Sequence, residues 1–149
     1  MTHSDTLIAG GLRQFQQKLA EAIEGDVHFD RFTRAMHATD ASVYQLLPMG
    51  VVAPRNRADV IRTVTLCHDH GVSITARGGG TSQAGQSIGN GISLDFSRYM
   101  NRIIDLDLAA RTVWVEPGWC SMNSTHSSNL TGCNCRLTLS TSSAPPLAA

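Results

Sequence analysis

Three consecutive glycines, Gly78-Gly79-Gly80, follow directly on the apolar and β-branched run Val72 to Ala76. A glycine triplet enters backbone conformations closed to other residues and lets a ligand come close to the main chain. It disfavours the interior of a helix or strand, so it fixes a turn at the end of a strand. Six of the 13 glycines lie between Gly78 and Gly91, which makes this a concentrated feature rather than a compositional one. Successive N–H groups in such a turn form an anion-binding concavity. Thr81, Ser82 and Gln86 add side-chain donors and Arg77 adds a positive charge, so the chemistry suggested is capture of a pyrophosphate. Two common phosphate motifs are excluded. A P-loop requires Gly-Lys-Ser/Thr, and no lysine follows these glycines. A dinucleotide fingerprint beginning at Gly78 requires glycine at position 83, where Gln83 stands. On composition alone, a hairpin loop with no ligand stays open.

The flanking chain divides into three. Residues 1–44 read as mainly helical, with Leu12, Phe15, Leu19, Ala22 and Ile23 at helical spacing and Gly25 as a stop. Met49 to Ala53 reads as a strand closed by Pro54. Asn56 caps a helix whose apolar stripe is Val60, Ile61, Val64 and Cys67, with Gly71 at its C-terminal stop. Val72–Ala76, Ile92–Asp95, Arg102–Leu106 and Thr112–Glu116 read as further strands, the last two as a hairpin around the link 107–111. Trp114, on an alternating strand, is expected in the core. Strand, helix, strand and then strands without helices predicts an α+β fold rather than a doubly wound sheet.

Several function classes fall away on composition. Twelve basic and 12 acidic residues give zero formal net charge, without the basic footprint nucleic-acid binding needs. No apolar run approaches the ~18 residues of a membrane span. The N-terminus has no basic segment followed by an apolar stretch, so a cytoplasmic protein is expected. Cys67, His68, His70, Cys133 and Cys135 match no standard zinc spacing, and no metal site is expected. His68-Asp69-His70 reads as a solvated helix end. No nucleophile–base arrangement is legible from spacing.

The string Pro54-Arg55-Asn56 with Asp59-Val60, then His70-Gly71, then Ala76-Arg77-Gly78-Gly79-Gly80-Thr81-Ser82 and Gly85, resembles the vanillyl-alcohol-oxidase (PCMH) type of FAD-binding domain. Leu94-Asp95, Ile103-Ile104-Asp105 and Val115-Glu116-Pro117-Gly118 fit the same pattern in the same order. Ala38-Thr39-Asp40-Ala41-Ser42-Val43-Tyr44 just before the domain strengthens the likeness to bacterial FAD-linked dehydrogenases of the D-lactate dehydrogenase and glycolate oxidase type. The likeness runs from about residue 10 to Gly118. It implies the first lobe of such a domain over residues 40–118, preceded by a helical segment, 1–39, and followed by an irregular tail, 119–149. It also implies FAD as cofactor. The loop of Arg77, Gly78, Gly79, Gly80, Thr81 and Ser82 would wrap the pyrophosphate with main-chain N–H groups. Gly85 and Gln86 would continue that wall, and Pro117 and Gly118 would begin a further loop beside the cofactor. The flavin would take a hydride from a 2-hydroxy acid such as D-lactate. The family's substrate-binding half lies further along the chain, so no catalytic residue is carried over. A truncated product, inactive alone, is expected. The parent enzyme is expected in the cytoplasm or peripheral to the inner membrane.

Residues 119–149 differ in kind. They hold one charged residue, Arg136, against 23 in residues 1–118, and seven Ser and four Thr without a helical or strand period. That composition predicts disorder or a segment foreign to the fold. Where the family continues with a helix, a shifted reading frame restores one. With each alternative codon taken from the last base of one codon and the first two of the next, Gly118 to Thr138 permits VVLDELNALLKPHGLQLPPD. Its second residue is forced to Val by Trp119-Cys120, and its Glu is forced by Met122-Asn123. The expectation is therefore an out-of-frame tail whose cysteines and His126 carry no function, with a native Ser/Thr-rich tail as the alternative. Two further readings stay open beside the oxidoreductase. One is a non-catalytic nucleotide-binding module. The other is a nonfunctional truncated product whose unfinished sheet edge would promote aggregation.

Overall fold

The computed structural model describes residues 9–107, 109–110 and 112–119. Helix α1 (Ala9–Ala22) presents Phe15 and Leu19 to the interior, with Ile23 one turn on, as the helical spacing requires. The chain then forms a strand the sequence did not suggest. Strand β1 (Asp26–His28) pairs antiparallel with β2 (Gly50–Ala53), Val27 opposite Val52. The Asp-Val-His strand has no apolar run, and only tertiary pairing makes it extended. Between them lies the short helix α2 (Arg31–Met36), capped by Asp30, whose carboxylate accepts the Thr33 N–H at 2.8 Å.

Helix α3 (Arg57–Asp69) crosses over to β3 (Ile74–Arg77), and β4 (Ile92–Asp95) then enters between the two strands already laid down. The sheet order is β1-β2-β4-β3, with β2, β4 and β3 parallel. Phe15, Leu19, Ile23, Val52, Cys67, Ile92 and Leu94 form one core between the helices and the sheet. Elements from residues 9–28 thus share a core and a sheet with residues 50–95.

The inward face of α3 keeps only part of the apolar stripe expected from the sequence: Cys67 lies in the core and Val60 packs against it, but Ile61 and Val64 turn away. Asp59, Thr63 and Cys67 are buried, while Ile61 is 55% and Val64 45% exposed. Asp59 turns inward because its carboxylate accepts two backbone N–H bonds while its own N–H is held by the helix cap. Oδ1 takes the Glu24 N–H at 3.1 Å and Oδ2 the Arg55 N–H at 3.0 Å, while its own N–H donates to the cap Asn56 at 2.9 Å. Thr63 follows one turn later by donating its hydroxyl to the Asp59 carbonyl at 2.8 Å. A buried carboxylate needs partners for its oxygens, and here each oxygen has one. Gly71 ends the helix with φ +64, as its stop position predicts.

The remaining strands, β5 (Ile103–Asp107) and β6 (Thr112–Val115), make a separate antiparallel hairpin. Its base is tied by Arg102 and Glu116: the Glu116 N–H donates to the Arg102 carbonyl, the Arg102 N–H donates to Glu116 Oε2, and Nη2 pairs with Oε1 at 3.2 Å. Trp114 is 69% exposed, against the expectation of a core position. It lies opposite Asp105, and no described layer covers that side of the ribbon. No helix among the described residues is long and apolar enough to cross a membrane. The expectations for residues 120–149, including the frame and the cysteines there, lie outside the described residues.

Candidate functional site

In an open sheet with parallel strands, ligands bind beyond the carboxyl ends of the strands. Here that end is Arg77 on β3 beside Asp95 on β4, which face each other in register. The glycine loop leaves from Arg77, and the Pro117-Gly118 turn arrives at the same end. Gly118 donates its N–H to the Met100 carbonyl at 2.8 Å. A Cβ there would lie 2.1 Å from the Phe96 carbonyl oxygen, so only glycine lets this turn close on the segment after β4.

The glycine loop has two faces with different surroundings. On the outer face, a Cβ at Gly78 would meet nothing within 4 Å, and one at Gly79 only Thr81 Cγ2 at 3.6 Å. The N–H groups of Gly78, Gly79, Gly80 and Thr81 donate to no acceptor among the described residues. Open space bounded by unused main-chain donors suits an anion held against the backbone, and side chains at these positions would fill it.

The inner face is closed. Gly80 and Gly85 have φ +67 and +76, in the left-handed region. A Cβ on Gly80 would sit 2.4 Å from Arg77 Nη2, and one on Gly85 would sit 2.9 Å from Tyr44 Cδ2. The Arg77 guanidinium therefore lies under the loop, where Nη1 donates to the Ser87 carbonyl at 3.3 Å. Ser82 and Gln86 are also engaged within the loop. The Ser82 hydroxyl donates to Gln86 Oε1 at 2.6 Å and accepts the Ala84 and Gln86 N–H groups at 3.3 and 3.1 Å. Of the residues singled out from sequence, Gly78, Gly79, Gly80 and Thr81 thus carry the unused donors. Arg77, Ser82, Gly85 and Gln86 shape the turn, while Gly118 packs against Phe96 and Met100 after β4 rather than on the loop itself.

Two further groups lie at this end: His37, which carried no sequence signal, and residues 38–44, which entered only through the family likeness. His37 joins α2 to β4, with Nε2 at 3.1 Å from Asp95 Oδ2 and Nδ1 at 2.9 Å from the Thr33 carbonyl. Fifty-eight residues separate the pair, so no local pattern announces it. Residues 38–44 form the loop's inner wall. There Ser42 above all, then Ser87, hydrogen-bonds the Asp40 carboxyl and holds it below the usual carboxylate range. The sequence signal for this segment was the string Ala38 to Tyr44 in the family likeness. Among the described residues, no three His, Cys, Asp or Glu side chains gather as a metal would require.

Residues 48–121 match the family described as "FAD binding domain". A D-2-hydroxyglutarate dehydrogenase of Pseudomonas putida is 42% identical over 97 residues, 63% of this chain and 10% of that protein. The glycolate oxidase subunit GlcD of Bacillus subtilis is 36% identical over 101 residues, 64% of this chain and 21% of that protein. The chain thus spans about a tenth of the length of the first of these relatives. Among solved structures, p-cresol methylhydroxylase with substrate bound superposes with a TM-score of 0.70 at 16% identity, over 85% of this chain and 26% of that one. At that identity the likeness concerns the fold alone.

Proposed function

Residues 48–121 belong to the FAD binding domain family, and from that premise we propose that the chain is the pyrophosphate-holding lobe of a flavin-dependent oxidoreductase acting on a 2-hydroxy acid. The cofactor is FAD, and the kinship is with 2-hydroxy acid dehydrogenases. D-lactate and D-2-hydroxyglutarate are the substrates to test first, since both carry the same hydroxyl-bearing carbon next to a carboxylate. Bound FAD supplies the two-electron acceptor for hydride removal from that carbon.

The observation that carries the reading is the open outer face of Gly78 and Gly79, lined by donors without acceptors. In the proposal, the N–H groups of Gly78, Gly79, Gly80 and Thr81 hold the pyrophosphate oxygens. Arg77 holds the loop's shape from beneath and adds positive potential at short range. Ser82, Gly85 and Gln86 fix the far side of the turn. Pro117 and Gly118 wall the opposite side. No side chain among the described residues is assigned a proton-transfer role in this proposal. On this reading the 149-residue chain is inactive alone, and residues 119–149 are translated out of frame.

The test is flavin retention after FAD addition and desalting, followed by dye reduction with D-lactate and D-2-hydroxyglutarate. Retention without turnover supports a lobe that binds FAD and needs the remainder of an enzyme. Turnover by this chain overturns the claim of inactivity, and absence of retained flavin favours the nonfunctional product. The frame is decided by the coding sequence. A third base other than G in the Ser121 codon removes the Asp of the shifted peptide, and several such misses sink that part of the proposal.

A further inference from the structure

Residues 38–44 touch the glycine loop at three separated points. The Ala41 N–H donates to the Gly80 carbonyl at 3.1 Å. The Tyr44 ring lies against Gly85, where an added Cβ would be 2.9 Å from Cδ2. The Ser87 hydroxyl donates to Asp40 Oδ2 at 3.0 Å. These contacts fall on both left-handed glycines and on the residue that closes the turn.

The segment is itself braced. Asp40 Oδ1 accepts the Ser42 N–H at 2.9 Å, and the Ser42 hydroxyl accepts the Tyr44 N–H at 3.1 Å. The Leu46 N–H returns to the Ala38 carbonyl at 2.9 Å, and Thr39 bridges to Gln45. One carboxylate therefore serves two turns, one oxygen for its own and one for the loop. Tyr44 remains 59% exposed, so core burial does not explain its place; its contact with Gly85 does.

A glycine-rich turn has a large conformational entropy to lose on binding, and a turn already fixed loses less. We propose that Asp40 and Tyr44 are positioning residues for FAD: residues 38–44 clamp the glycine loop in the conformation that presents its N–H groups outward. The proposal rests on the reading that this loop holds the FAD pyrophosphate. Neither residue needs to touch the cofactor.

The experiment uses Ser87→Ala, which removes the tether and leaves the Asp40 turn intact, together with Tyr44→Ala and Tyr44→Phe. Two quantities are read on each: amide hydrogen exchange across residues 78–86 without FAD, and the FAD dissociation constant by flavin fluorescence. For Ser87→Ala and Tyr44→Ala, loop exchange rises about tenfold and FAD affinity falls about tenfold, while the whole chain still unfolds in urea in one cooperative transition. Tyr44→Phe behaves as the unaltered chain, since the ring and not the hydroxyl makes the contact. Unchanged exchange in Ser87→Ala and Tyr44→Ala overturns the clamp. Faster exchange with unaltered FAD affinity overturns the positioning role. If exchange rises but the unaltered chain holds no FAD, the failure lies in the pyrophosphate reading, and the positioning role falls with it.

Discussion

Gly79 and Gly80 are adjacent, yet one added methyl group has opposite consequences at the two positions. At Gly79 the backbone is outside the left-handed region, and the methyl meets only Thr81 Cγ2 at 3.6 Å, an ordinary contact. Gly79→Ala then acts mainly on the unfolded chain, whose freedom it reduces, and stabilises the fold by about 0.4–1 kcal/mol. The same methyl enters the open space in front of the unused N–H groups. Loss of one hydrogen bond to a charged oxygen costs about 1.5–3 kcal/mol, so FAD binds roughly tenfold to a hundredfold more weakly. At Gly80, φ is +67 and the methyl would lie 2.4 Å from Arg77 Nη2 and 2.8 Å from Cζ. The left-handed backbone and the displaced guanidinium together cost about 2–3 kcal/mol. Urea unfolding followed by circular dichroism, without flavin, reads the first quantity, and flavin fluorescence titration reads the second. The reasoning is refuted if Gly79→Ala destabilises the chain, or if it stabilises the chain while FAD binding stays as tight as before.

Other expectations follow from the core and the ion pairs. Phe15→Ala empties the largest fully buried side-chain volume and lowers unfolding free energy by about 3–5 kcal/mol in urea titration. Asp59→Ala strands the Glu24 and Arg55 N–H groups and costs about 2–4 kcal/mol by the same measurement. Burial pushes the Cys67 thiol up to about 11, so iodoacetamide at pH 8 leaves it unmodified in the folded chain and alkylates it in urea, as peptide mass spectrometry will read. The Arg102 side chain beside Glu116 holds its carboxyl below the ordinary 4.5. A depressed carboxyl contributes stability above its unfolded value and loses it as pH falls through the folded one. The hairpin base therefore loosens on acidification below 4.5 in tryptophan emission, and Glu116→Gln abolishes that acid phase.

The parts of the fold with a strong local period were legible. Leu19 and Phe15 announced α1, Asn56 announced the start of α3, and the glycine triplet announced the loop at the end of β3. Strand β1 was not legible, because Asp26-Val27-His28 becomes extended only by pairing with β2. The inward face of α3 was misread by a small rotation. Apolarity selected Ile61 and Val64, whereas backbone hydrogen bonds to Asp59 decided which face turned in. Trp114 was misplaced because strand alternation says which residues share a side, not whether anything lies against that side. At the site, the unused donors were foreseen from glycine chemistry. The inward turn of Arg77 and the wall formed by residues 38–44 depend on contacts between distant segments and left no periodic trace.

The order of strands carries a consequence for how the chain acquires its shape. Because β4 lies between β2 and β3, the chain cannot zip this sheet from one margin to the other. Strands β2 and β3, joined through α3, are linked in the sheet only through the later strand β4. The glycine loop is the tether of that strand, running from the end of β3 back to the start of β4. Its geometry is completed only when Ser93 has paired with both Val51 and Thr75. Non-local insertion of this kind is slow compared with hairpin or helix formation. The fixed arrangement of the loop is thus complete only once β4 has paired on both sides, whereas the unfolded chain exposes the same N–H groups without arranging them.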